Sequence, residues 1–154
     1  MELEEALGMF DGAIVNAVGR AADLGIFEFT SETGNVALFL HIQCPFRVLH
    51  DGDMMIGSDD MNFPQKRLDG KDSDEPRGSI FDERSKILNR ILARLRSKVD
   101  SFTMMDQGLL VLRFGPSIIL QVFPDCSGRV EMWRFFAAGG EHYGFPRNLF
   151  SADA

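Results

Sequence analysis

Residues Val36 to Asp60, VALFLHIQCPFRVLHDGDMMIGSDD, constrain the fold of this chain more than any other stretch, because they hold its clearest hairpin signal and most of its unusual polar residues. From Val36 to Cys44 the side chains alternate, with Val36, Leu38, Leu40, Ile42 and Cys44 on one strand face and Phe39, His41 and Gln43 on the other. The first face is expected to be core. Pro45 cannot donate to a β-ladder, so it marks a bend, a bulge or the end of that strand. The chain continues as Phe46 to His50, turns at Asp51-Gly52 and returns as Asp53 to Ile56. A D-G pair between apolar runs is expected to close a two-residue hairpin, since both turn positions need positive φ.

Before this stretch, Leu3, Ala6, Leu7 and Phe10 recur at helical spacing behind Glu2, Glu4 and Glu5, which predicts a short N-terminal helix. Asp11-Gly12 reads as a turn, and Ala13 to Arg20 and Gly25 to Thr30 as strands. After it, residues 57–78 (GSDDMNFPQKRLDGKDSDEPRG) lose all apolar periodicity and predict a long acidic loop. Ile80, Ile87, Leu88, Ile91, Leu92, Leu95 and Val99 then trace one face of a long amphipathic helix over about 80–99, with Ser79 as N-cap, Asp82 and Glu83 in the first turn and Arg94, Arg96 and Lys98 near the end. Four further runs at hairpin spacing follow: Ser101 to Asp106, Leu109 to Phe114, Ser117 to Phe123 and Arg129 to Phe136. Residues 137–154 show no period and are expected to be irregular.

The turns that join the strands before and after the long helix are too short for parallel crossovers. The expected fold is therefore α+β, a mostly antiparallel sheet of about seven or eight short strands with the one long amphipathic helix packed on it. A chain of 154 residues suits a single domain, residues 1–154, with one core. No window approaches the roughly 20 apolar residues that cross a bilayer, and the acidic start MELEEALGMF lacks the pattern of a secretory signal, so the expected location is cytoplasmic, without membrane contact. Cys44 and Cys126 are expected to be free thiols.

Charge is distributed unevenly. Residues 1–82 carry 16 acidic and 6 basic side chains, and residues 83–154 carry 7 and 10, within a net charge of −7. An acidic first half does not suit direct contact with nucleic acid, whose phosphates are bound by clustered Lys and Arg. A basic protein partner matches it better, although acidic residues also serve simply to solvate a surface.

Catalytic patterns are weak. His41, Cys44, Cys126 and His142 include zinc-ligand types, but His41 and Cys44 are three residues apart on a strand and face opposite ways, so no metal site is expected. The same parity separates Cys44 from His41 as nucleophile and base. Asp51, Asp53, Asp59 and Asp60 supply carboxylates from which a hydrolase pair can be drawn, yet aspartates in Gly-rich loops are commonly surface residues. Gly139-Gly140 lacks the strand-turn-helix setting of a phosphate loop. No cofactor and no enzymatic activity are expected. His41, Gln43 and Arg47 suggest a polar face that fixes sheet register or holds a small ligand, and Trp133 and Tyr143 are candidate interface anchors.

The runs LHIQCPFRV, DGDMMIGSDD and IILQVFPDCSGRVEMWRFF together resemble small bacterial immunity proteins of toxin-immunity loci, including those of contact-dependent growth inhibition systems. The likeness spans most of the chain. It implies a cytoplasmic protein that binds one cognate toxin, often a nuclease, and blocks its active site. On charge, the contact candidates for such a basic toxin are Asp51, Asp53, Asp59, Asp60, Asp72, Asp74 and Glu75, with Trp133 and Tyr143 as possible anchors. The alternatives are a binding module for another protein or a small ligand through the His41, Gln43 and Arg47 face, and, third, a carboxylate-dependent hydrolase.

Overall fold

A computed structural model describes residues 3–65 and 78–147. A short helix α1 (Leu3–Leu7) opens the chain and runs into a 3-10 turn, Gly8–Phe10. The strands are β1 (Ile14–Ala21), β2 (Leu24–Thr30), β3 (Ala37–Ile42), β4 (Phe46–His50), β5 (Asp53–Gly57), β6 (Val99–Met104), β7 (Leu110–Phe114), β8 (Ile118–Val122), β9 (Trp133–Ala137) and β10 (His142–Phe145), with helix α2 (Ile80–Leu95) between β5 and β6. The fold is α+β, and every strand pair is antiparallel. Among the described residues, ten strands divide into two five-stranded sheets: sheet A in the order β1-β2-β3-β9-β10 and sheet B in the order β5-β4-β8-β7-β6.

The single sheet of seven or eight strands expected from the sequence is therefore corrected to two sheets, and the reason lies at Pro45. Gln43 N–H still donates to the Met132 carbonyl in line with sheet A, whereas the Pro45 carbonyl already accepts from Phe123 N–H in line with sheet B. Cys44, buried between them, marks the crossing. A proline suits this corner because a residue that leaves one ladder before joining the next needs no donor of its own. Asp51 (φ 50°) and Gly52 (φ 85°) close the β4–β5 hairpin as their sequence predicts.

The sheets face one another. Phe27 on β2 meets Phe46 on β4 (ring centroids 5.8 Å apart), while Phe29, two residues on, meets Phe114 on β7 (6.1 Å). β7 lies two strands away from β4, and Phe114 is level with His50 rather than with Phe46, so β2 crosses sheet B obliquely. Gly25 on β2 gives the Phe46 ring its room: a Cβ there would stand 2.6 Å from Phe46 Cε1. Phe10 wedges between the layers against Phe29, Phe102 and Phe135. The buried apolar residues of both sheets and of α2 form one cluster.

Helix α2 begins as expected, with Ser79 Oγ accepting from Asp82 N–H and Asp82 Oδ2 accepting from Ser79 N–H. It buries Phe81, Ser85, Leu88 and Leu92, and the Phe81 ring packs on Phe46. It ends at Leu95, four residues before the expected limit. Backbone pairing outcompetes the helix there: Val15 N–H donates to Ser97 O, Val99 N–H to Ala13 O and Gly12 N–H to Val99 O, which stitches the start of β1 to β6. Val99 thus belongs to a strand. Residues 137–154 are likewise corrected in part, because His142–Phe145 form β10 against β9. The expected loop over 57–78 starts with a 3-10 turn, Ser58–Asn62, and Pro64 bridges back to Ser79; residues 66–77 of it lie outside the described residues. Among the described residues, no helix is long and apolar enough to cross a membrane.

Candidate functional site

Two surfaces emerge, one from the acidic hairpin and one from the outer face of sheet A. On the hairpin, Asp51 and Asp53 are exposed at the tip, and Asp59 is exposed just past the far end of β5. Asp51 Oδ2 lies 3.5 Å from His50 Nε2, and Asp59 Oδ1 accepts from Asn62 Nδ2 at 2.8 Å. Asp60 differs. It is half-buried, and its Oδ2 accepts from Gly57 N–H at 2.9 Å, so this carboxylate holds the turn. Asp72, Asp74 and Glu75 lie outside the described residues.

Strand register builds the second surface. Across sheet A, Glu28, Phe39, Phe136 and His142 are successive cross-strand partners, and so are Ile26, His41, Arg134 and Gly144. Their neighbours along each strand, Phe27, Leu38, Leu40, Phe135 and Tyr143, are buried, so these two rows form the outer face. Phe39 stacks on Phe136 (5.2 Å), Phe136 stacks on His142 (4.1 Å, 5° between planes), and His41 meets the Phe136 ring edge-on at 5.0 Å. The Phe136 ring thus has both faces stacked, and the three rings form a ladder on the outer face of the sheet.

Arg134 anchors the ladder's open end. Its Nε and Nη2 donate to the two carboxylate oxygens of Glu131, each at 2.9 Å, and its Nη1 lies 3.2 Å from His142 Nδ1. Gly144 has no side chain where the Glu131 carboxylate reaches in. With Pro146 and Arg147, these groups line an open cleft of about 400 Å³. Burial, and then the charges of Arg134 and His142, push the His41 pKa below its ordinary value, so His41 is neutral at pH 7. The arrangement suits an interface that recognises aromatic and polar groups together.

The polar face expected of His41, Gln43 and Arg47 is not brought together. His41 stands on sheet A, Gln43 is exposed at the corner, and Arg47 stands on sheet B, where its Nε donates to Gln121 Oε1 at 2.6 Å and its guanidinium lies over the Phe123 ring. The sheet change at Pro45 is the cause. Trp133 and Tyr143 are also not surface anchors: Trp133 is fully buried with Nε1 donating to the Gly108 carbonyl at 2.8 Å, and the Tyr143 ring is buried with only its hydroxyl reaching Glu141. Burial pushes the Cys44 thiol up to about 12, which keeps it protonated and poorly nucleophilic. Among the described residues, no group of three or more His, Cys, Asp or Glu side chains is placed to hold a metal ion.

Sequence reasoning missed Phe39, Glu131, Arg134 and Phe136 as a cluster. The alternation of Trp133 and Phe135 with Arg134 and Phe136 was available, but aromatic residues occupy both faces and hide the polarity contrast. Comparison of the chain with protein families, with curated proteins and with solved structures finds no match in any of the three.

Proposed function

We propose that this chain is a binding protein that neutralises a protein toxin, of the basic nuclease kind, by occluding its active site. The observation that carries the reading is the β4–β5 hairpin, which holds the exposed carboxylates of Asp51 and Asp53 at its tip on a short, hydrogen-bonded scaffold, with Asp59 exposed in the turn beyond the other end of β5. Fixed acidic groups attract a basic partner over several ångströms and orient it on arrival. The resemblance of LHIQCPFRV and DGDMMIGSDD to immunity proteins supplies the partner class.

Co-expression with a candidate toxin taken from the genes that adjoin its own tests this. The native chain is expected to rescue growth, and rescue is expected to weaken when Asp51, Asp53 and Asp59 are changed together to Asn, a residue that tolerates the positive φ at position 51. A second reading, a binding module working through sheet A, rests on the Phe39–Phe136–His142 ladder. It is favoured if Phe136→Ser abolishes rescue while the three Asn substitutions leave it intact.

A further inference from the structure

Beside the buried ridge of α2 runs a second one. Ile87, Ile91 and Leu95 follow one another at helical spacing, the two isoleucines half-buried and Leu95 52% exposed. Arg90 and Arg94 flank them, and His50, from the end of β4, closes the other side of a cleft of about 400 Å³. The lining contains two guanidinium groups, an imidazole and three aliphatic side chains, with no carboxylate. Asp51, outside the lining, has its Oδ2 3.5 Å from His50 Nε2.

We propose that this cleft docks an acidic amphipathic segment of a partner protein, its apolar side on Ile87, Ile91 and Leu95 and its carboxylates on Arg90 and Arg94. The complementarity is twofold. An aliphatic strip at i, i+4 and i+8 accepts the apolar face of a short helix, as in helix-in-groove recognition, and arginines pair with carboxylates in a planar, two-point geometry. A nucleic-acid strand matches the arginines but leaves the aliphatic strip, which fills the centre of the lining, without a partner. The inference stands apart from the toxin reading, which rests on Asp51, Asp53 and Asp59.

The test is fluorescence anisotropy of a labelled synthetic helical peptide, with leucines along one face and glutamates elsewhere, titrated with the full chain. Saturable binding is expected, weakened about tenfold or more by Arg90→Glu with Arg94→Glu and by Leu95→Ser, in variants whose circular dichroism matches the native chain. A peptide of the same composition with its leucines scattered around the helix is expected to bind at least about tenfold more weakly. The proposal is overturned if no saturable binding occurs, if the scattered peptide binds equally, or if a single-stranded RNA binds more tightly than the peptide and is lost in the same variants. Sedimentation showing that the native chain self-associates through Arg90, Arg94 and Leu95 at the same concentrations also overturns it, since the occupant is then a second copy.

Discussion

Asn89 on α2 satisfies both backbone groups of Val18 on β1: its Oδ1 accepts from Val18 N–H at 2.7 Å, and its Nδ2 donates to the Val18 carbonyl at 2.9 Å. β1 is an edge strand of sheet A, and an edge strand's unpaired groups otherwise recruit other chains. The helix covers the opposite sheet in the same manner, because Arg84 Nε donates to the Met55 carbonyl on the edge strand β5 at 2.7 Å. One helix thus seals an edge of each sheet with side-chain amide and guanidinium groups. Asn89→Ala leaves two backbone groups unpaired and is expected to lower stability by about 1–3 kcal/mol in urea unfolding, with faster aggregation on heating. An unchanged midpoint contradicts this role.

Asp82 serves two partners. Its oxygens accept from Arg20 Nε and Nη2, both at 2.8 Å, and Oδ2 also accepts from the Ser79 N–H. The Arg20 hydrogen bonds, against some opposing burial, hold its carboxyl below the ordinary carboxylate range. The folded pKa is therefore lower than the unfolded one. The stabilisation is complete above the unfolded value of about 4 and is lost as pH falls through the folded one. Asp82→Asn is expected to flatten the acid limb of a melting-temperature profile below about pH 4, where the native chain loses stability.

His41 responds in the same direction but nearer neutrality. Its lowered folded pKa means that the unfolded chain binds the proton first, so the contribution of neutral His41 is present above about 6.5 and lost as pH falls through the folded value. The groups facing it are Arg134, His142, Glu131 and Glu28, of which the carboxylates oppose the shift. An NMR titration of the imidazole is expected to place its midpoint below that of a free histidine and to move it upward in Arg134→Gln.

Gly25 of sheet A lies directly under the Phe46 ring of sheet B. Gly25→Ala forces that ring off Phe27 and Phe81, its neighbours, and is expected to cost about 1–3 kcal/mol. The double variant Gly25→Ala with Phe46→Leu recovers part of the loss if crowding is the cause. Trp133, the single tryptophan, is fully buried and is expected to report such changes through a red shift of its emission and easier quenching as the fold opens.

The strands were largely legible because period-2 alternation survives wherever one face is buried and the other is not. Leu38, Leu40 and Ile42 are buried as the pattern at 36–44 implies, although Val36, at its outer end, is exposed. The division into two sheets was not legible, since Pro45 signals an interruption without saying that the chain changes layers. Helix α2 was placed well at Ser79 but overextended, because Val99 continues the helical spacing while its backbone bonds to β1. β10 escaped notice as four residues with a central glycine, and with it the place of His142 beside Phe136 and Arg134. Asp51, Asp53 and Asp59 were legible as surface groups from their turn chemistry alone.

Whether those three acids form a contact surface is best measured by calorimetric titration of the purified chain into a catalytically inactive form of the toxin proposed as its partner, sought among the genes that adjoin its own. The account predicts a one-to-one complex that inhibits the active toxin and whose affinity falls about 100-fold or more when Asp51, Asp53 and Asp59 are changed together to Asn, with much of the loss masked at high salt. Absence of a complex, or an affinity untouched by the three substitutions in a correctly folded chain, contradicts it.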